Sequence, residues 1–273
     1  IYGLASGVSV GEVFMGGFIP GFMLAGGMSV YSIIYGLKMH SARPRKKFSL
    51  SELGVALKDA IWALLMPLIV LGGIYGGVFT PTEAAAIASL YGLFVGLLVY
   101  RELTLRLLGA ILKQAVVNSC MIMFIVAAAT VFALVMTREQ IPARVTEFIV
   151  FVARGRFMFL LLVTLLLFVV GTFMDTVPAV MILSPILVPV LSKYDISPVA
   201  FGVIIIINLG IGLVTPPVGL NLYVAAGLRN TGLEKVLNRH LIIYIFCAIV
   251  VLTPLMAVPQ IITFIPDMMK PRN

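Results

Sequence analysis

Asn208-Leu209-Gly210-Ile211-Gly212-Leu213-Val214-Thr215-Pro216-Pro217-Val218-Gly219-Leu220-Asn221 interrupts an apolar run that covers residues 197–228. Pro216 and Pro217 bring no amide donors and break a helical ladder. Gly210, Gly212 and Gly219 permit unwound backbone. The segment reads as a helix that stops and restarts. In hydrocarbon, carbonyls freed in this way need a partner, and they persist only where protein, water or an ion supplies one. A cage of carbonyls and hydroxyls suits a small hard cation such as Na+. Gly212, Thr215 and Val218 fall at steps of three, so their oxygens converge as the chain turns. A helix restarting near Pro216 also aims its positive end at an anion. The plainer alternative is a kinked packing helix, for which proline alone suffices.

Upstream lies a second interruption. Residues 157–191 are apolar except around Gly171-Thr172-Phe173-Met174-Asp175-Thr176-Val177-Pro178. Each flank is short for a crossing, and a re-entrant helical hairpin with its tip at mid-membrane fits. A hairpin tip paired with a broken helix is the sequence pattern of a transporter midplane site. Asp175, at the tip, either caps the returning limb or sets negative charge beside a cation; the two roles are compatible.

The solvent of this chain is lipid. Of 273 residues 61% are hydrophobic and 11% charged, against about 25% charged in soluble domains, and the mean hydropathy is +1.15. Spans need roughly 20 apolar residues. Residues 11–37 supply one, residues 114–136 another and residues 241–264 the last. Residues 60–100 are long enough for two, with a reversal at Gly72–Pro81. Residues 48–59 read as an amphipathic connector and 137–156 as a surface helix. The net charge is +8. Its basic residues gather in residues 38–47, 101–113 and 229–239 rather than in a stripe, which fits cytoplasmic loops and argues against nucleic acid. This places 137–156 and the hairpin mouth outside.

Glu83 and Asp175 are the two acidic residues well inside apolar runs, and intramembrane carboxylates are functional candidates by default. Thr80-Pro81-Thr82-Glu83, however, is a capping box with proline at the first helical position. Cys120 and Cys247 lie in apolar runs as packing residues, and His40 and His240 lie in basic loops. No transition-metal spacing, phosphate-binding lysine motif, nucleophile triad, HExxH or aspartate pair is present in the sequence, so no enzyme and no organic cofactor are expected. The chain begins at Ile1 with no signal-peptide pattern. It is expected to be a fragment, or one piece of a multi-part protein.

Gly72-Gly73-Ile74-Tyr75-Gly76-Gly77-Val78-Phe79-Thr80-Pro81-Thr82-Glu83-Ala84-Ala85-Ala86 and Gly210-Ile211-Gly212-Leu213-Val214-Thr215-Pro216-Pro217-Val218-Gly219-Leu220-Asn221-Leu222 resemble the two strong signatures of the large membrane subunit of TRAP (tripartite ATP-independent periplasmic) transporters. Tyr2-Gly3 through Gly11, Ile19-Pro20-Gly21 and the hairpin at Gly171–Pro178 match in type and order. The resemblance covers essentially the whole chain and corresponds to the family's C-terminal two-thirds. It implies an all-α polytopic bundle with the elevator-type fold of the ion-transporter superfamily. It implies Na+-coupled uptake, without ATP, of a carboxylate such as a C4-dicarboxylate, sialic acid or keto acid. Implied partners are a small membrane subunit and a periplasmic binding protein, and the implied location is a bacterial or archaeal cytoplasmic membrane. Carried over residue by residue, Gly171, Gly212, Thr215 and Val218 form a Na+ site with Asp175 close by. Thr172, Thr176, Asn208, Pro216, Pro217 and Asn221 are substrate-path candidates. Residues 1–9 would end a broken helix of a preceding repeat, 10–156 would be mainly scaffold with connecting surface helices, 157–228 the moving hairpin and broken helix, and 229–273 the last loop and span. A non-transporting membrane scaffold is the alternative from another class; a membrane-embedded enzyme is disfavoured.

Overall fold

In a computed structural model, residues 1–38, 49–228 and 232–269 are described. They are helical with no strand, and seven helical stretches among them are long and apolar enough to cross a bilayer. The protein is an all-helical, multi-pass membrane protein. The basic stretch 39–47, Phe48 and Arg229 lie outside the described residues.

The chain opens with α1 (Tyr2–Ser6), α2 (Val10–Gly16) and α3 (Phe18–Lys38). Gly17 alone separates α2 from α3, so the expected span over 11–37 is a helix with one glycine slip. Next comes α4 (Leu50–Tyr75), whose cap Ser49 accepts the Glu52 N–H at 3.3 Å. The expected separate connector over 48–59 is therefore corrected: from Leu50 onward it is the first part of the same helix, because Leu, Glu, Ala and Lys there are good helix formers. The reversal falls at residues 76–80, inside the glycine-rich stretch, and Gly77 takes φ +68 there. Beyond it α5 (Pro81–Phe94) runs into a π-helical turn, Val95–Val99.

The 34 residues of α6 (Leu105–Arg138) measure about 51 Å. This corrects the loop expected over 101–113. Arg106 and Lys113 are helical, because α6 is longer than a bilayer core and carries its basic end beyond it. After α7 (Ile141–Val152) come α8 (Arg156–Phe173) and α9 (Thr176–Leu187), the latter continued by a 3-10 turn, Val188–Tyr194. The broken helix is α10 (Pro198–Gly212) followed by α11 (Leu220–Leu228). The chain ends with α12 (Leu233–Val236), α13 (Arg239–Ala257) and α14 (Gln260–Met269). The last span thus stops at Ala257 rather than running on to residue 264. Pro259 lacks an amide to continue it.

Residues 1–39 and 122–273 form one compact unit and residues 40–121 another. In the first, the core follows the α8–α10 seam, where Phe159, Leu167, Phe201, Ile204 and Leu209 are inaccessible. Around this seam α3 packs along α13, α2 and α14 pack against α10, and α9 packs against α1 and α7. Residues 10–38 therefore group by packing with α10, α13 and α14. In the second unit α4 and α5 pack together. Tyr91 and Tyr100 donate their hydroxyls to the carbonyls of Trp62 (2.7 Å) and Asp59 (2.8 Å).

Candidate functional site

The site begins where two helices touch through their backbones. A Cβ placed on Gly212 would lie 2.6 Å from the Gly171 Cα and 2.7 Å from its carbonyl carbon. One on Gly171 would lie 3.1 Å from both the Gly212 Cα and the Leu209 oxygen. Gly212 cannot carry a Cβ without the backbones parting, and at Gly171 one would need its neighbours to give by a few tenths of an ångström. Two positions from separate segments, 171 and 212, are thereby brought together in the core.

Directly beyond Gly212 the helix opens. Leu213, Val214 and Thr215 donate their N–H groups to Leu209 (2.9 Å), Ile211 (3.2 Å) and Gly212 (2.9 Å), tightening the last turn. The Thr215 hydroxyl donates to the Ile211 carbonyl at 2.7 Å, so its oxygen keeps its acceptor capacity. The Pro216–Pro217 peptide is cis, and Gly219 takes φ +60 to lead the chain into α11. Its N–H donates to the Thr172 carbonyl at 3.1 Å, so the loop is tied to the end of α8; the Asn221 N–H donates to Leu213 at 3.1 Å. Among the described residues, the carbonyls of Val214, Thr215, Pro216, Pro217 and Val218 accept no backbone hydrogen bond. Thr215 and Val218 are half-buried, while Pro216, Pro217 and Asn221 are exposed.

The hairpin tip is Met174 and Asp175. Asp175 is exposed and caps α9, its Oδ1 accepting the Thr176 N–H at 2.7 Å. Among the described residues its carboxylate makes no hydrogen bond to the loop at 213–219. Thr172 is buried, and its hydroxyl donates to Val169 at 2.7 Å. Asn208 is 1% exposed. Its Nδ2 donates to the Thr164 Oγ1 at 3.1 Å, and the Thr164 hydroxyl donates to the Met256 sulfur at 3.0 Å. Asn208 therefore faces the core rather than the open loop. Thr164 was overlooked by sequence reasoning. Its signal is a lone hydroxyl in an apolar run, two turns before Gly171 and on the same face.

Thr80, Pro81 and Glu83 belong to the other unit. Glu83 Oε2 accepts the Thr80 N–H at 2.8 Å and the Thr80 hydroxyl at 2.9 Å, and the Thr80 Oγ1 accepts the Glu83 N–H at 3.3 Å. The box is closed, and Pro81 occupies the first turn.

Two apolar grooves of about 380 and 390 Å³ flank α10, one beside α1 to α3 and one beside α3 and α13. Neither is lined by Gly171, Gly212, Thr215 or Val218. Among the described residues no group of three or more His, Cys, Asp or Glu gathers. The donors at the interruption are carbonyl and hydroxyl oxygens, which suit a hard cation.

The family described as tripartite ATP-independent periplasmic transporter, DctM component, matches residues 1–261. The isethionate TRAP transporter permease protein DctMQ of Oleidesulfovibrio alaskensis is 40% identical over 86% of this chain and 37% of its own length. The C4-dicarboxylate TRAP transporter large permease protein DctM of Rhodobacter capsulatus is 40% identical over 84% of this chain and 52% of its own. The sialic acid TRAP transporter large permease protein SiaM of Vibrio cholerae is 37% identical over 98% of this chain and 62% of its own. The chain thus spans between 37% and 62% of the length of these relatives.

Proposed function

Since the chain belongs to the DctM component family of tripartite ATP-independent periplasmic transporters, we propose that it is part of a large permease subunit that takes up an organic anion with Na+ as the coupling ion. The opened end of α10 against Gly171 carries this reading. Carbonyls of Gly171, Gly212 and Val218 and the carbonyl and hydroxyl of Thr215 form half of a Na+ cradle, with the Asp175 charge nearby. Thr172, Thr176, Pro216, Pro217 and Asn221 border the anion path. Asn208 does not, because its amide is held in the core.

Relatives named for isethionate, C4-dicarboxylates, sialic acid and 2,3-diketo-L-gulonate support a small organic anion as substrate. The isethionate relative widens the class beyond carboxylates to sulfonates. The family description supports a periplasmic binding protein as the donor of substrate and a bacterial or archaeal cytoplasmic membrane as the site. A small membrane subunit completes the assembly. The hairpin and broken helix carry the cradle as one body in an elevator movement, driven by the ion gradient and not by ATP.

The test is uptake by the full-length subunit with its partners in proteoliposomes. Uptake of the anion should follow an inward Na+ gradient and stop when an ionophore collapses it. Undiminished uptake with K+ or choline in place of Na+ refutes the coupling.

A further inference from the structure

We propose that Asn208 is the positioning residue of the cradle: its hydrogen bond to Thr164 holds α10 against α8 in the register that lays Gly212 on Gly171. This rests on the reading that the cradle takes Na+. Asn208 lies one turn before Gly212, and Thr164 lies two turns before Gly171. Both pairs therefore sit on one seam. The glycine contact has no side chains to fix its axial position. The seam between it and Asn208 is apolar, with Leu167 and Leu209 fully buried. Apolar packing resists separation but tolerates small sliding. A 3.1 Å amide bond does not, since it weakens steeply with misalignment. A single buried asparagine fixes register in the same way between coiled-coil helices.

The amide is a poor choice for stability. Among the described residues, Asn208 Oδ1 is buried with no hydrogen-bond partner. Turning the amide over does not cure this. Its carbonyl would then accept from Thr164, leaving the NH2 unpaired and the Met256 sulfur without its donor. A leucine, which has the same branched outline, would avoid the unpaired group, so the gain from the amide is geometric. Through Thr164 and Met256 the same chain of bonds reaches α13, so three helices are held in one alignment.

The test uses the full-length subunit with its partners, as wild type, Asn208→Leu, Thr164→Val and the double variant. Three quantities are read: thermal stability without Na+, the Na+-induced rise in stability against a K+ control, and Na+ half-saturation of uptake. Asn208→Leu should match or exceed wild-type stability without Na+, yet need about tenfold more Na+ to reach half-saturation, a change of about 1.4 kcal/mol. The loss should fall on half-saturation more than on maximal rate. Thr164→Val should reproduce the shift in half-saturation but lose stability, because it leaves the Asn208 NH2 buried and unpaired, and the double variant should shift half-saturation no further than either alone, as for two ends of one interaction. If the variants keep wild-type Na+ half-saturation, or if Asn208→Leu loses stability without Na+ and affinity only in proportion, the positioning role is refuted and Asn208 is a packing residue. A wild type with no Na+-specific response removes the cradle reading itself, and this inference with it.

Discussion

Gly212→Ala is the sharpest probe of the crossing. The new Cβ would start 2.6 Å from the Gly171 Cα and 2.7 Å from its carbonyl carbon. Carbon atoms rest at about 3.5–4.0 Å, so α8 and α10 must part by about 1 Å. Both neighbours are backbone, so no side-chain rotation relieves the clash. Overpacking of this kind costs about 1–3 kcal/mol of stability. On the proposed cradle, parting the helices would also withdraw the Gly171 oxygen, and losing that ligand should raise Na+ half-saturation by tenfold or more, about 1.4 kcal/mol. Gly171→Ala should be milder, because its Cβ meets Gly212 and Leu209 at 3.1–3.2 Å. A shift of about 0.3–0.5 Å restores ordinary contact there. Gly210→Ala is the control on the same helix. Nothing lies within 4 Å of its Cβ position, and alanine is the better helix former by up to about 1 kcal/mol. Thermal unfolding in detergent and Na+ titration of uptake in proteoliposomes rank the three. If Gly212→Ala behaves like Gly210→Ala in both, the backbone crossing is not what shapes the site.

Thr215→Val removes the hydroxyl that donates to Ile211 and should weaken Na+ dependence about tenfold, or 1.4 kcal/mol; unchanged Na+ titration takes Thr215 out of the cradle. Asp175→Asn keeps an oxygen that can accept the Thr176 N–H, so stability should move by less than about 0.5 kcal/mol, while the ratio of Na+ to anion transported changes. A wild-type ratio would leave Asp175 a cap and nothing more. Glu83→Gln should lose about 0.5–1 kcal/mol of stability and keep transport per folded molecule. Transport that vanishes in a folded Glu83→Gln protein would move Glu83 from helix cap to substrate path.

Interruptions were legible because they are local. Glycine and proline act on the residues that carry them, so the tip at Met174–Asp175 lies inside Gly171–Pro178 and the opened loop at 213–219 lies inside Asn208–Asn221. The Thr80–Glu83 box is equally local. Helix ends were less legible. Arg106 and Lys113 mark a loop by charge, yet they are good helix formers and sit on α6. The final span stops at Ala257 although Ile261, Ile262 and Phe264 continue the apolar pattern, because hydropathy does not register where one proline ends the ladder. Partners across helices could not be read from spacing at all. The meeting of Gly171 with Gly212 was expected only through family resemblance. That Asn208 faces Thr164, and that α3 lies along α13, depends on how the whole unit packs.

A packing kink and an ion cradle differ in the balance of donors and acceptors, and residues 213–219 are unbalanced. Seven carbonyls stand there against five amide donors, since Pro216 and Pro217 carry none. The N–H groups of Leu213, Val214 and Thr215 go back to close α10, and that of Gly219 goes to Thr172 on α8. In return, among the described residues, the segment receives two backbone bonds, from Asn221 to Leu213 and from Leu222 to Gly219. Oxygen is therefore in excess, and in a low-dielectric setting that excess attracts positive charge. Two neighbours of the loop point the same way: glycines 171 and 212 bring further main-chain oxygen close, and no basic side chain is available among residues 157–192 or 194–228 to neutralise it. Replacing Pro216 by alanine would restore one donor and should lower Na+ affinity even if the helix stays broken. An affinity unchanged in a Pro216→Ala protein would show that the surplus of oxygen is not what holds the ion.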